Sequence, residues 1–495
     1  MSNITILFFL LVCMRSAVAQ FSVNYNPKIQ SSGNIQYFTP NGDNLFVGDC
    51  IPYYHEGTYY LYWLLDSGHH SALNGLGGHQ WTLSTTKDLK HWTHYPVVIG
   101  IDEDWEKSIC TGSVENDGKK FYAFYATRLL DSEGKVNEQL SYATSTDAIH
   151  FEKQKPNPFY TFAPGYNKKN FRDPKVIIDR SGVFHLLVSS SIEKDYSLNS
   201  NRGCLVHLSS NDLKQWKVNE PILTGQGAVP ECPDYFYWNG WYYLLYSQGG
   251  NTSYLMSQKP FGPWIEPKYQ VFDEDWSNVV KTAESPNGRR IAASWIPSRR
   301  DNKDNGGERF GGCILLREVL QLEDGTLANK FPEEMIPATG NELSLKFVPD
   351  HNAKKTSDSQ FAIDALGSIG SLYSANIPVN CRITLEIDPS GSNEDVGLYL
   401  RSTDKASEGY KLSFSANKQI VSLANTRIEA VSGLNKPFKV DIIMKDDIID
   451  VCINGQRCIV NRLPERKGAS IWFYAKHGKV LFKDIKIYPI INDKL

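Results

Sequence analysis

Apolar residues recur along this chain in short runs of period two, and the three-to-four spacing of a helix is weak throughout. Five aromatic-rich runs stand out: TYYLYWLLD from Thr58, KKFYAFYAT from Lys119, GVFHLLVSSS from Gly182, WYYLLYSQGG from Trp241 and RRIAASWIP from Arg289. A turn pair introduces each one: Glu56-Gly57, Asp117-Gly118, Ser181-Gly182, Asn239-Gly240 and Asn287-Gly288. Companion segments follow, most of them a Ser/Thr-x-Asp step and an aromatic: STTKDLKHW (84–92), STDAIHF (145–151), SSNDLKQW (209–216) and the variant KPFGPW (259–264). Five such units fit within residues 25–335. One unit alone cannot bury both its faces, but units arranged radially can, so the pattern predicts an all-β fold that begins with a five-bladed β-propeller. One large β-sandwich is the competing architecture.

Residues 336–345 read as a connector. Beyond them the alternation becomes cleaner, in VGLYLRS (396–402), YKLSFS (410–415), FKVDIIM (438–444), IIDVCING (448–455), ASIWFYA (469–475) and VLFKDIKIYPI (480–490). Alternating strands between frequent turns predict a C-terminal antiparallel β-sandwich. The expected domains are a propeller over 20–337 and a sandwich over 338–495. The sandwich either packs against the propeller or also binds carbohydrate.

The N-terminal run ITILFFLLVCM is too short to span a bilayer, and Ala17-Val18-Ala19 behind it fits the small-x-small cleavage pattern. Residues 1–19 are expected to be a signal peptide, giving a secreted or periplasmic protein. No later apolar run reaches membrane length. The net charge of −3, from 52 basic and 55 acidic residues, offers no field for nucleic acid. Cysteines outside the signal segment are too sparse for a disulfide scaffold, and no Cys/His spacing reads as a zinc site. Cys452 and Cys458 flank the Asn454-Gly455 turn and either bridge or remain as two thiols. The 11 Trp, 26 Tyr and 23 Phe suit strands, and they also supply flat faces for sugars.

Three carboxylates are set apart by context: Asp49 in FVGDCIPYY, Asp173 in NFRDPKVII and Glu231 in VPECPDYFY. Each follows a loop and enters a strand that starts a unit. If those strands line a central channel, the three acids converge at one end of it. Glycoside hydrolysis needs such a set: one carboxylate to attack or activate, one proton donor, and a third group to grip hydroxyls and stabilise positive charge. Arg172 is expected to hold Asp173 ionised and to bind a hydroxyl. Trp63, Trp81 and Trp295 are candidates for sugar stacking, or else core aromatics. The chemistry requires no metal and no cofactor, and the implied partner is an oligo- or polysaccharide.

FRDPK (171–175) and ECPD (231–234) resemble the RDP and EC motifs of glycoside hydrolase family 32, the invertases, inulinases and levanases. DLKHW (88–92), Thr111-Gly112-Ser113, Trp295 and FGGCILLREVLQLEDGTL (310–327) extend the resemblance over roughly residues 40–337. It implies Asp49 as nucleophile, Glu231 as acid/base and Asp173 as transition-state stabiliser, in a retaining mechanism. The family's first motif, W-M-N-D-P-N-G, reads here Phe46-Val47-Gly48-Asp49-Cys50-Ile51-Pro52. Leu64 and Leu83 stand where a Gln and a His are expected. Replacement polar contacts are sought in Asp66, His69, His70, His79 and Gln80, with the histidines read as part of a flexible substrate loop or the surface. Two alternatives stay open: an arabinofuranosidase- or xylosidase-like propeller enzyme, and a non-catalytic carbohydrate-binding protein.

Overall fold

The computed structural model describes residues 29–193, 202–269, 271–272, 276–357, 359–389 and 395–491. The expected signal peptide lies outside these residues. Strands hold 58% of the chain and helices 4%, so the all-β expectation stands. No described helix is long and apolar enough to cross a membrane.

Residues up to Lys330 form four antiparallel sheets. Three are local: one runs from Ser108–Asn116 to Glu152–Lys153, one from Arg172–Ile178 to Lys217–Gln226, and one from Glu231–Trp238 to Asn251–Ser257. The fourth joins the two ends of this half. Glu308–Gln321 meets Leu45–His55 at Gly312 and Val47. Gly312 also lies close to the strand Arg290–Arg299: a Cβ there would lie 1.8 Å from the Ile296 carbonyl oxygen, so only glycine fits. Leu45–His55 packs against Ser108–Asn116, which packs against Arg172–Ile178. The series continues through Glu231–Trp238 to Asn278–Glu284 and returns to Leu45–His55. These five strands are the innermost of their segments.

All five are interrupted at the same place. Two residues of the inner strand oppose one of its neighbour: residues 48–49 face Leu64, 110–111 face Ala126, 173–174 face Val188, 232–233 face Tyr246, and 279–280 face Ser294. Such bulges bend the strand and re-aim its side chains. Asp173, Cys232 and Val279 adopt positive φ there, at 54°, 52° and 59°. For a β-branched residue such as Val279 this is strained backbone. Side chains tie the inner strands together where backbone pairing does not. Lys281 Nζ donates to the Gly112 carbonyl (2.8 Å), Lys175 pairs with Asp234 (2.8 Å), and Ser113 Oγ donates to the Pro174 carbonyl (2.8 Å).

The C-terminal half is two seven-stranded antiparallel sheets between Val348 and Pro489. Their facing apolar residues, among them Ile383, Leu398, Phe473 and Ile487, form one core. The two halves meet through a buried fork. Arg317 donates from both terminal nitrogens to Asp450 at 2.7 Å, and the Tyr37 hydroxyl also donates to that carboxylate at 2.7 Å. Cys452 and Cys458 lie directly opposite in paired strands as buried free thiols.

Candidate active site

The bulge residues Asp49, Cys110, Thr111, Asp173, Cys232 and Val279 all line one cavity of about 430 Å³, together with Glu231, Arg172 and Trp295. The bulges therefore place the three candidate carboxylates beside one another, although they lie far apart in the chain.

Asp49 is buried. Trp295 Nε1–H donates to its Oδ1 at 3.1 Å, and the Cys232 thiol lies 3.8 Å from its Oδ2. Burial raises its pKa, and the nearby Lys281 and His79 act against that rise. Asp173 accepts the Cys232 backbone N–H at 3.1 Å, with the thiol at 3.5 Å. Burial pushes the Asp173 carboxyl up to about 7. This runs against the expectation that Arg172 holds Asp173 ionised. The Arg172 guanidinium is shared: its closest carboxylate is Glu231 at 2.6 Å, with Glu138 at 3.5 Å and Asp173 at 3.7 Å. Its attraction only partly offsets the loss of water around Asp173. Glu231 is the most open of the three, its side chain 38% exposed.

Three further expectations change. Trp63 is fully buried, donates to Ser84 Oγ at 3.1 Å and packs against Phe38. Trp81 is fully buried, donates to the Cys110 carbonyl at 2.8 Å and packs against Tyr62 and Tyr125. Both are core residues with no face open to a sugar. Asp66 is fully buried behind the cavity wall, where its Oδ1 accepts the His70 backbone N–H at 2.7 Å and bonds His79 Nε2 at 3.1 Å. Trp295 does reach the cavity, and its indole N–H is spent on Asp49.

Of the three candidate histidines only His79 is fully buried, and His69 and His70 are half-buried. His79 is buried in the wall; its N–H donates to Ser108 Oγ at 3.0 Å and its carbonyl accepts from the Ile109 N–H at 2.9 Å. His70 bonds Arg128 at 2.9 Å, and His69 bonds the Phe310 carbonyl at 2.8 Å. Gln80 accepts the Ile101 N–H at 3.1 Å and does not line the cavity. Several residues in or beside the wall were not candidates from the sequence. The Arg128–Glu138 pair (2.8 Å) flanks Arg172, Lys281 lies next to Asp49, and Phe310 stacks on His79 with ring centroids 4.9 Å apart. Two bulges did leave a mark: Pro174 and Pro233 lack the N–H that an uninterrupted ladder would use.

A family model described as "Glycosyl hydrolases family 32 N-terminal domain" matches residues 50–330. The chain belongs to glycosyl hydrolase family 32. The match begins one residue after Asp49, where the first motif diverges from the family form. Among the relatives of this family 32 chain, the sucrose-6-phosphate hydrolase of Escherichia coli is 24% identical over 316 residues, covering 58% of this chain and 64% of that protein. The chain thus spans less than two thirds of that relative. The levanbiose-producing levanase of Bacillus subtilis (strain 168) is 22% identical and aligns over 88% of this chain and 87% of its own length. Among solved structures, fructan 1-exohydrolase IIa from Cichorium intybus superposes with a TM-score of 0.70 at 16% identity, covering 92% of this chain and 98% of that one. Sucrose-6-phosphate hydrolase from Lactobacillus gasseri gives 0.66 at 16% identity, with 92% and 93% coverage. Over 92% of its length the chain therefore has the fold of these two enzymes.

Proposed function

We propose that this family 32 glycoside hydrolase cleaves β-fructofuranosidic bonds of oligo- or polysaccharides by a retaining double displacement. The observation that carries this reading is the convergence of Asp49, Asp173 and Glu231 on one cavity. Asp49, held by Trp295, attacks the anomeric carbon. Glu231, the carboxylate most open to the cavity, protonates the departing glycosidic oxygen. The covalent fructosyl ester on Asp49 is then opened by water that Glu231 deprotonates. Asp173, buried against Cys232, takes sugar hydroxyls and balances the positive charge that develops on the ring. Arg172 bonds Glu231 before substrate enters and serves as a further hydroxyl ligand. In the same reading the four N-terminal sheets make five blades around the ring of inner strands, with the first and last blades in one sheet. The C-terminal sandwich begins near residue 338. The chain is exported, with its mature form starting at Gln20, and N-terminal sequencing of the extracellular protein checks this.

The test of activity is sugar release from sucrose, inulin, levan, arabinan and aryl furanosides by the mature chain, with Asp49→Asn and Glu231→Gln alongside. Fructose release that falls by at least about a thousandfold in both variants supports the reading. Release of arabinose with inversion would replace it with the arabinofuranosidase alternative. Silence shared by the parent and both variants would favour a carbohydrate-binding protein.

A further inference from the structure

We infer that His79 is a substrate-binding residue whose Nδ1 accepts a hydrogen bond from a hydroxyl of the sugar in the Asp49 cavity, with Asp66 as the positioning residue that fixes it. This deepens the fructosidase reading and rests on it.

His79 lines the same cavity as Asp49. Its two ring nitrogens have different tasks. Nε2 faces Asp66 Oδ1 at 3.1 Å, and the same oxygen accepts the His70 backbone N–H at 2.7 Å. An oxygen that already accepts one N–H accepts the second as well, so the imidazole proton sits on Nε2. Nδ1 then carries a bare lone pair. Among the described residues nothing bonds Nδ1, and it is not one of the buried polar atoms sealed without a partner. A nitrogen acceptor open to a cavity suits a hydroxyl, which always has a proton to donate.

The rest of the wall fixes this ring, and one side of it is apolar. Phe310 stacks on it at an interplanar angle of 21°. Phe310 can take that place because residue 48 is glycine: a Cβ there would come within 3.0 Å of the Phe310 ring and 3.2 Å of Leu64 Cβ. Gly48, Leu64 and Phe310 thus leave the sugar few polar contacts on this side of Asp49. The neighbouring His70 is already engaged by Arg128. A fixed acceptor discriminates strongly, because a sugar lacking the matching hydroxyl leaves it unpaired.

Two substitutions separate this role from a structural one. In His79→Asn the side-chain amide occupies the level of Nδ1, whereas in His79→Gln it reaches the level of Nε2. Sugar release should be measured on whichever panel substrate the parent cleaves, with Asp49→Asn as the inactive reference and thermal melting as a check on folding. We expect kcat/KM to fall about 10–100-fold in His79→Ala and His79→Gln. His79→Asn should stay within about tenfold of the parent, because it keeps an acceptor facing the sugar. The inference is overturned if His79→Ala cleaves like the parent, or if Gln restores activity and Asn does not, since that order marks the Asp66 bond as the only function of the ring. If the parent and Asp49→Asn are equally inactive, the hydrolase reading itself has failed and the inference falls with it.

Discussion

In the sandwich strand Cys381–Asp388 every second residue is buried, and pairing with Phe438–Lys445 runs unbroken. In Arg172–Ile178 the ladder slips at the second residue, and the residue left over is a buried aspartate at positive φ. One strand obeys the local rules of a sheet, and the other breaks them. Each inner strand of the N-terminal half breaks them at the same level, and that level is the floor of the cavity. Ordinary strand pairing would send successive side chains to opposite faces. The bulge lets a strand keep its sheet while presenting a carboxylate, a thiol or a strained valine to a shared centre. The sandwich has bulges of its own, one of them at the buried Arg401, but only in the N-terminal half do five bulges converge on one cavity.

The contrast can be tested by perturbing each side of it. The largest expected effect falls where the halves join. Asp450→Ala leaves Arg317 buried without its carboxylate and should cost about 3–5 kcal/mol of stability. Urea or thermal unfolding reads this, and the activity of the fraction still folded should be nearly unchanged. Next is Trp295→Phe, which keeps the ring but removes the donor to Asp49. Losing one hydrogen bond to a charged group should lower kcat about 10–100-fold with little change in melting temperature. An equal loss of stability would show instead that this indole packs like Trp63 and Trp81.

Asp173→Asn should trade activity for stability, in a pH-dependent way. The folded carboxyl titrates near 7, above its unfolded value of 3.8. The native state thus holds a proton that the unfolded chain has already lost, and stability falls as pH rises from about 4 to about 7. The variant should match the parent near pH 4 and exceed it by up to about 4 kcal/mol at pH 8, while its activity collapses. An equal difference at both pH values would count against burial as the source of the shift. The smallest effect belongs to the regular half: Ile383→Val should cost about 0.5–1.5 kcal/mol and leave kcat/KM unchanged.

Much of the fold was legible in the sequence. The five aromatic runs are the second strands of their segments, and the clean alternation after residue 345 is the sandwich. The three carboxylates were legible because each enters a strand whose apolar pattern is strong. The tryptophans were not. Trp63 and Trp81 have the composition of a sugar platform, but a period-two pattern does not tell which of two buried faces opens on a cavity. Arg128, Glu138, Lys281 and Phe310 were not candidates from the sequence, since they reach the site only when the ring of inner strands brings remote segments together. The same holds for His79, whose glycine-rich approach suggested a loose loop until Asp66, Ser108 and Phe310 were seen to hold it.

The junction of Val47 with Gly312 also has a bearing on biogenesis. The strand that carries Asp49 leaves the ribosome early, while the segment that flanks it is made only after three complete sheets have been synthesised. During translation that strand has one unpaired edge, a template for mispairing with other nascent chains. Contacts of such long sequence separation also slow folding, since loop entropy is lost before the pairing repays it. Asp49 is thus among the first residues of this half to be made and among the last to gain its final neighbours, so incomplete chains should be inactive however well their separate sheets have formed.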